Sequence, residues 1–334
     1  MTGQRTAIEA VREEPDGVGD LVQLIQPGPG DTLILAFHRS CVREARQVCG
    51  AVEADRGSRV VLVPILARRD ATFGARLRQA VAESGQGRLV ILTLESVPVP
   101  DGDLEPHLAR SEIVRLIGCG DGHLRPLTRA LTGGDTDRPG PLRHARAATV
   151  RTPGGTLHLR FDADARWTFN DGQARPGEIT VLPAGAMTTT RALVDGTFVA
   201  DGALQVNRPL RWDVRLSKAP VTVEIAAGEV RAVRCADPRT ERFLDRAVSR
   251  GGAHRVTQVG IGTNPHIPRF VSRSSPLNLC RTGVHLRLGD DAPAAETDLR
   301  IELIAAPPHL DVDGTPLDFA APAAPPEDAT GGRA

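Results

Sequence analysis

The sequence predicts an α/β protein in two parts: an N-terminal parallel-sheet domain over residues 1–140 and a β-rich α+β domain over residues 141–319. Three observations support this. The first part alternates short apolar runs with stretches of helical periodicity, the pattern of strand–helix–strand units joined by right-handed crossovers. The second part alternates apolar and polar residues between closely spaced turn signals, the pattern of antiparallel strands. Between them, residues 135–141 are polar and carry glycine and proline, as a linker does. Residues 320–334 are mostly alanine, proline and glycine with little to bury, which predicts a disordered tail.

Taken in order, the first strand covers residues 32–37, an apolar run that follows the Pro27-Gly28-Pro29-Gly30-Asp31 turn. Ser40 is a candidate cap for a helix in which Cys41, Val42, Ala45, Val48, Cys49 and Val52 hold helical spacing. Residues 59–65 form a second strand, 71–83 a second helix and 88–94 a third strand. Neither glycine cluster in this part reads as a nucleotide site. Gly28-Pro29-Gly30 precedes its strand, where a dinucleotide fingerprint follows one; Gly118-Cys119-Gly120-Asp121-Gly122 lacks the lysine and the serine or threonine of a P-loop. In the second part, residues 156–161 alternate, as do Val221, Val223 and Ile225. Turns are expected at Pro153-Gly154-Gly155, Asp171-Gly172, Asp195-Gly196, Asp201-Gly202 and Ala227-Gly228. One helix interrupts these strands. Asp237 caps it, Pro238 takes its first position, Phe243, Leu244, Ala247 and Val248 form its buried face, and Gly251 ends it.

At 334 residues, 40% hydrophobic and 25% charged, the chain can bury a core in one large domain or two ordinary ones. Lys+Arg and Asp+Glu each number 41, so no net field favours nucleic acid or an anionic membrane as a partner. Lys218 is the sole lysine, and there is no tyrosine to serve as acid or base. Cys41, Cys49, Cys119, Cys235 and Cys280 form no C-x-x-C pair and leave an odd thiol, which points to a reducing compartment and away from a disulfide framework. Residues 1–16 carry acids and no apolar core, unlike a signal peptide, and no apolar run approaches the length of a bilayer span. A cytoplasmic protein is expected.

The most informative stretch is Val256-Thr257-Gln258-Val259-Gly260-Ile261-Gly262-Thr263-Asn264-Pro265. Two glycines permit close approaches that a Cβ forbids, and Pro265 stops a ladder, so a strand running out into a turn beside a site is expected. Gly260-Ile261-Gly262-Thr263-Asn264-Pro265 resembles the G-I-G-T-N-P segment of the aminopeptidase T family of metallopeptidases, which also includes 2,5-dihydroxypyridine dioxygenase-like relatives. Three further segments agree in order. Leu182-Pro183-Ala184-Gly185-Ala186 resembles L-P-A-G-E, and Thr282-Gly283-Val284-His285-Leu286-Arg287-Leu288-Gly289 resembles G-T-x-H-I-A-L-G. Residues 299–304, followed by Asp311-Val312-Asp313-Gly314, resemble the closing H-x-D segment and the V-D-G after it. The resemblance spans residues 145–317. It implies an aminopeptidase T-like fold, a cleft between the two parts and a homodimer.

In that family the L-P-A-G-E glutamate, a glutamate just before G-I-G-T-N-P, the histidine of G-T-x-H and the H-x-D pair bind a two-metal centre. The matching positions are Ala186, Gln258, His285, Arg300 and Glu302. Ala186 has no donor atom, Gln258 offers only a neutral amide, and Arg300 stays protonated and would repel a cation. A second placement takes His309-Leu310-Asp311 as the H-x-D, and with His285 gives two histidines and a carboxylate, a set suited to mononuclear iron. His254 and His266 belong to no paired helical motif, G-x-S-x-G is absent, and Trp167 and Trp212 read as core or interface packing.

Arg300 and Glu302, two apart on a strand, share a face, and a guanidinium where the family holds a cation attracts a carboxylate. The expectation is therefore a non-catalytic peptide-binding protein without a metal or other cofactor, its cleft lined by Gln258, Asn264, His285, Arg300 and Glu302. By analogy such a protein presents a precursor peptide to tailoring enzymes in ribosomal-peptide natural-product biosynthesis. The alternatives are an iron dioxygenase-like enzyme using His285, His309 and Asp311, or a residual metalloaminopeptidase. A purely structural reading pairs Arg300 with Glu302.

Overall fold

The computed structural model describes residues 17–67, 70–96, 98–118, 131, 140–207, 210–250, 252–289 and 299–318. The linker at 135–141, the glycine cluster from Cys119 onward, Gly251 and the tail fall wholly or mostly outside them. The first part runs α1 (Gly17–Ile25), β1 (Thr32–His38), α2 (Val42–Arg56), β2 (Arg59–Ile65), α3 (Phe73–Glu83), β3 (Leu89–Glu95) and β4 (Glu112–Ile117). Its strands are all parallel, in the order β2-β1-β3-β4. Leu33, Leu35, Val90, Leu92 and Val114 pack on the α1 and α2 side, while Ile34, Ala36, Ile91 and Ile113 pack on the α3 side. A sheet covered on both faces reads as unbroken apolar runs, as β1 and β3 do.

Two local details differ from expectation. Ser40 caps no helix: it lies in a 3-10 turn, Arg39–Cys41, and α2 starts at Val42 with no side-chain cap. β4 is hidden in the sequence because Arg115 sits in its middle. The structure accommodates that charge with the buried Glu95 carboxylate, to which Arg115 donates from Nε and Nη2 at 2.8 and 2.7 Å, and with Asp101.

The second part supplies β5 (Ala147–Thr152), β6 (Gly155–Phe161), β7 (Thr168–Asn170), β8 (Ile179–Leu182), β9 (Ala186–Thr189), β10 (Ala192–Ala200), β11 (Ala203–Val206), β12 (Val221–Ala226) and β13 (Glu229–Cys235). It continues with α4 (Pro238–Arg250), β14 (Val256–Gly262), α5 (Pro276–Cys280), β15 (Gly283–Leu288), β16 (Ile301–Ala305), β17 (His309–Val312) and β18 (Thr315–Leu317). β8 crosses to the first sheet and pairs in parallel with β4. The rest form two antiparallel sheets, β13-β12-β10-β6-β5-β17-β18 and β11-β16-β15-β14-β9-β7. These enclose one core, with Val150, Leu159, Phe198 and Val223 from the first and Met187, Ile261, Leu286 and Leu303 from the second.

The expected helix is α4, with Asp237 accepting from Thr240 N and Leu244 and Ala247 buried. Asp195-Gly196, expected as a turn, instead lies inside β10. Gly196 has φ +115°, and a Cβ there would fall 2.4 Å from the carbonyl oxygen of Thr156, so composition mimics a turn where the need is a close strand contact.

Candidate functional site

Side chains alternate across a strand, so register decides which residues of the six-stranded sheet meet. Gln205, Glu302, Arg287 and Gln258 lie opposite one another across β11, β16, β15 and β14, and His285 is two residues before Arg287 on the same face. Ala186 lies opposite Gly262 on β9. The alternate residues Val259, Leu286, Ile301 and Leu303 enter the sandwich core. The polar face is thus turned away from that core, and Ala186, Cys280 and Leu277 on its side pack with the first sheet's core.

The two glycine-bearing motifs are neighbours. Thr263 N donates to the Gly185 carbonyl at 2.7 Å and Asn264 Nδ2 to the Ala184 carbonyl at 2.9 Å, which ties the exit of β14 to the turn before β9. Gly262 faces the Arg281 carbonyl oxygen, 1.8 Å from where a Cβ would stand, and Gly260 faces the His285 ring, 2.0 Å from Cε1. His285 is buried, and neither ring nitrogen has a hydrogen-bond partner among the described residues. Burial, with the Arg287 charge second, pushes its pKa down to about 3, so the ring is neutral. Gln258 Oε1 is also buried without a partner among the described residues. Cys280 donates to the Pro183 carbonyl, and burial, then the Glu302 charge, pushes its thiol up to about 12.

A cleft of about 630 Å³ opens where this face meets the C-terminal ends of β3 and β4. Ser96, Ile117 and Gly118 line it from the parallel sheet, Gln205 and Asn207 from β11 and its exit. Its described charged groups are Arg273, Arg287, Arg300 and Glu302, three guanidinium groups against one carboxylate. Arg287 is held in place: Nε and Nη2 donate to Glu302 Oε1 at 2.9 and 2.8 Å, with the two side chains 21% and 8% exposed. Arg273 Nη2 donates to the Gly118 carbonyl at 2.7 Å, tying the loop before α5 to the end of β4. Open α/β sheets bind ligands at this same edge.

No family model matches the sequence, and no curated protein matches it. Solved structures do match. The 2,5-dihydroxypyridine dioxygenase of Pseudomonas putida KT2440 superposes with a TM-score of 0.64 at 13% identity, over 92% of this chain and 97% of that one. Wild-type AmpT from Thermus thermophilus superposes with a TM-score of 0.52 at 12% identity, over 88% and 93%. The fold is aminopeptidase T-like.

On that fold, the expected residues separate. Arg300 and Glu302 line the cleft together; Gln258 and His285 share the face but are not among its lining residues. Asn264, expected in the cleft, is consumed by the loop: its Nδ2 binds Ala184 and its Oδ1 accepts from His266 N. Glu302 pairs with Arg287, which corrects the Arg300–Glu302 pairing. His309 and Asp311 lie on β17 of the other sheet, where His309 meets Arg151 and Asp311 accepts from Gly314 N in a turn, so they are not joined to His285. Among the described residues, no three His, Cys, Asp or Glu could hold a metal. At the positions that the resemblance aligns with metal ligands stand an alanine with no donor atom, an amide, one imidazole, an arginine and a carboxylate already bound to a guanidinium, a set that does not fit a two-metal centre. Arg287 is the residue that the sequence reading missed, although its place two after His285 on a strand put it on the same face.

Proposed function

We propose that the protein is a non-catalytic binder of carboxylate-bearing peptides, held in the cleft between the parallel sheet and the six-stranded sheet. The observation that carries this reading is the Arg287–Glu302 pair, a fixed guanidinium in register with Gln258 on one side and Glu302 on the other, with Arg273 and Arg300 lining the same cleft. A planar guanidinium offers paired donors that match a carboxylate, and a preorganised one loses less entropy on binding. A binder of this kind suits presentation of a precursor peptide to tailoring enzymes.

The test is calorimetric titration of the protein and of Arg300→Ala with acidic and neutral peptides. Arg300 is exposed, so its truncation removes little packing, and the thermal transition of each variant checks that the fold is kept. A charge-assisted hydrogen bond contributes roughly 1.5–3 kcal/mol, so Arg300→Ala weakens acidic peptides by about one to two powers of ten and neutral ones little. Equal affinities across the variants, or no peptide binding, would overturn the reading.

A further inference from the structure

A second cavity, of about 890 Å³, opens beside β7 and the ends of β5 and β6, and shares no lining residue with the cleft. Its large apolar side chains are Trp167, Phe169 and Met187, the last two directly opposite each other on β7 and β9. The indole of Trp167 is half-buried and braced edge-on by Phe161, with ring centroids 5.3 Å apart at 63°. Such a ring keeps an exposed flank while its position is fixed by packing, which is what a stacking platform needs.

Around it stand Arg143, Arg146 and Arg166, all exposed. Among the described residues none of these three guanidinium groups has a salt-bridge or hydrogen-bond partner. The acids of the same rim are differently placed. Asp171 is bound by Arg175 and Asp162 lies 4.0 Å from Arg191, leaving Asp164 as the one rim carboxylate without an ion pair among the described residues. The cavity therefore combines an aromatic wall with uncommitted positive charge.

We infer that this cavity binds a planar aromatic anion, a ring carrying a carboxylate or a phosphate, with the ring on Trp167 and the acidic group among Arg143, Arg146 and Arg166. Arginine satisfies both halves of such a ligand, through bidentate donors to the acid and a flat cation against the ring.

The chain has two tryptophans, so Trp212→Phe leaves Trp167 as the single indole reporter. Trp212 packs edge-on against Phe243, a contact that phenylalanine preserves in kind. In that background the protein is titrated with benzoate, phenyl phosphate, inorganic phosphate and benzylamine while Trp167 emission is followed. Benzoate or phenyl phosphate gives a saturable change, at least about tenfold tighter than inorganic phosphate or benzylamine. The tighter of the two identifies the acidic group. The Arg143→Gln/Arg146→Gln/Arg166→Gln variant keeps its thermal transition and loses that binding by about tenfold or more. No saturable change with either aromatic anion at millimolar concentration, an equal response to benzylamine, or unaltered affinity in the arginine variant would overturn the inference.

Discussion

A Cβ on Gly260 would stand 2.0 Å from Cε1 of His285, so the glycine and the imidazole across from it form one unit. Gly260→Ala is expected to destabilise the protein by about 2 kcal/mol or more, because the neighbour is a fully buried ring with no room to yield. The Gly260→Ala/His285→Ala double variant should recover part of that loss, and denaturant unfolding of the four proteins in the cycle measures it. The same ring makes stability depend on pH. His285 stays neutral in the fold down to about pH 3, whereas in the unfolded chain it takes up a proton below about 6.5. Its contribution is full above pH 6.5 and is lost as pH falls from there toward 3, by up to about 1.4 kcal/mol per unit. His285→Gln should remove this part of the slope, and unfolding free energies at pH 7 and pH 5 for both proteins check it. Identical slopes would contradict a buried neutral His285.

At the scale of elements, β15 and β16 are joined by a charge pair as well as by their ladder. Glu302 has its side chain 8% exposed and Arg287 as its ion-pair partner. Arg287→Met strands a buried carboxylate and is expected to cost about 3 kcal/mol, while Arg287→Met/Glu302→Gln should cost roughly half as much or less, since neutral partners need no compensating charge. Thermal unfolding of the two variants distinguishes them. Much at this scale was legible from the sequence. β2 covers the range 59–65 read for it, and α4 follows from Asp237, Pro238 and the spacing of Leu244 and Ala247. What was not legible had long-range causes. β4 is masked by Arg115, whose partners Glu95 and Asp101 are distant in sequence, and Asp195-Gly196 carries turn chemistry in a strand that needs a small residue against Thr156. The pairing of Glu302 with Arg287 depends on inter-strand register, which side-chain alternation along one strand cannot supply.

For the whole molecule, the aminopeptidase T-like fold carries a cleft whose described charged groups are Arg273, Arg287, Arg300 and Glu302. Among the described residues, no helix is long and apolar enough to cross a membrane. The motifs announced the fold because each glycine answers a contact, Gly262 with Arg281, Gly185 with Asn264 and Gly260 with His285, that the fold itself creates. They did not announce the cleft's chemistry, since Arg273 and Arg287 lie outside the ligand positions. The most direct measurement is a calorimetric titration of chelator-dialysed protein with a peptide ending in a free carboxylate and with its C-terminal amide. Arginine-based recognition predicts that the free acid binds at least about tenfold tighter than the amide and that chelation leaves its affinity unchanged. Loss of binding on chelation, restored by a divalent metal, or equal affinity for acid and amide, would contradict it.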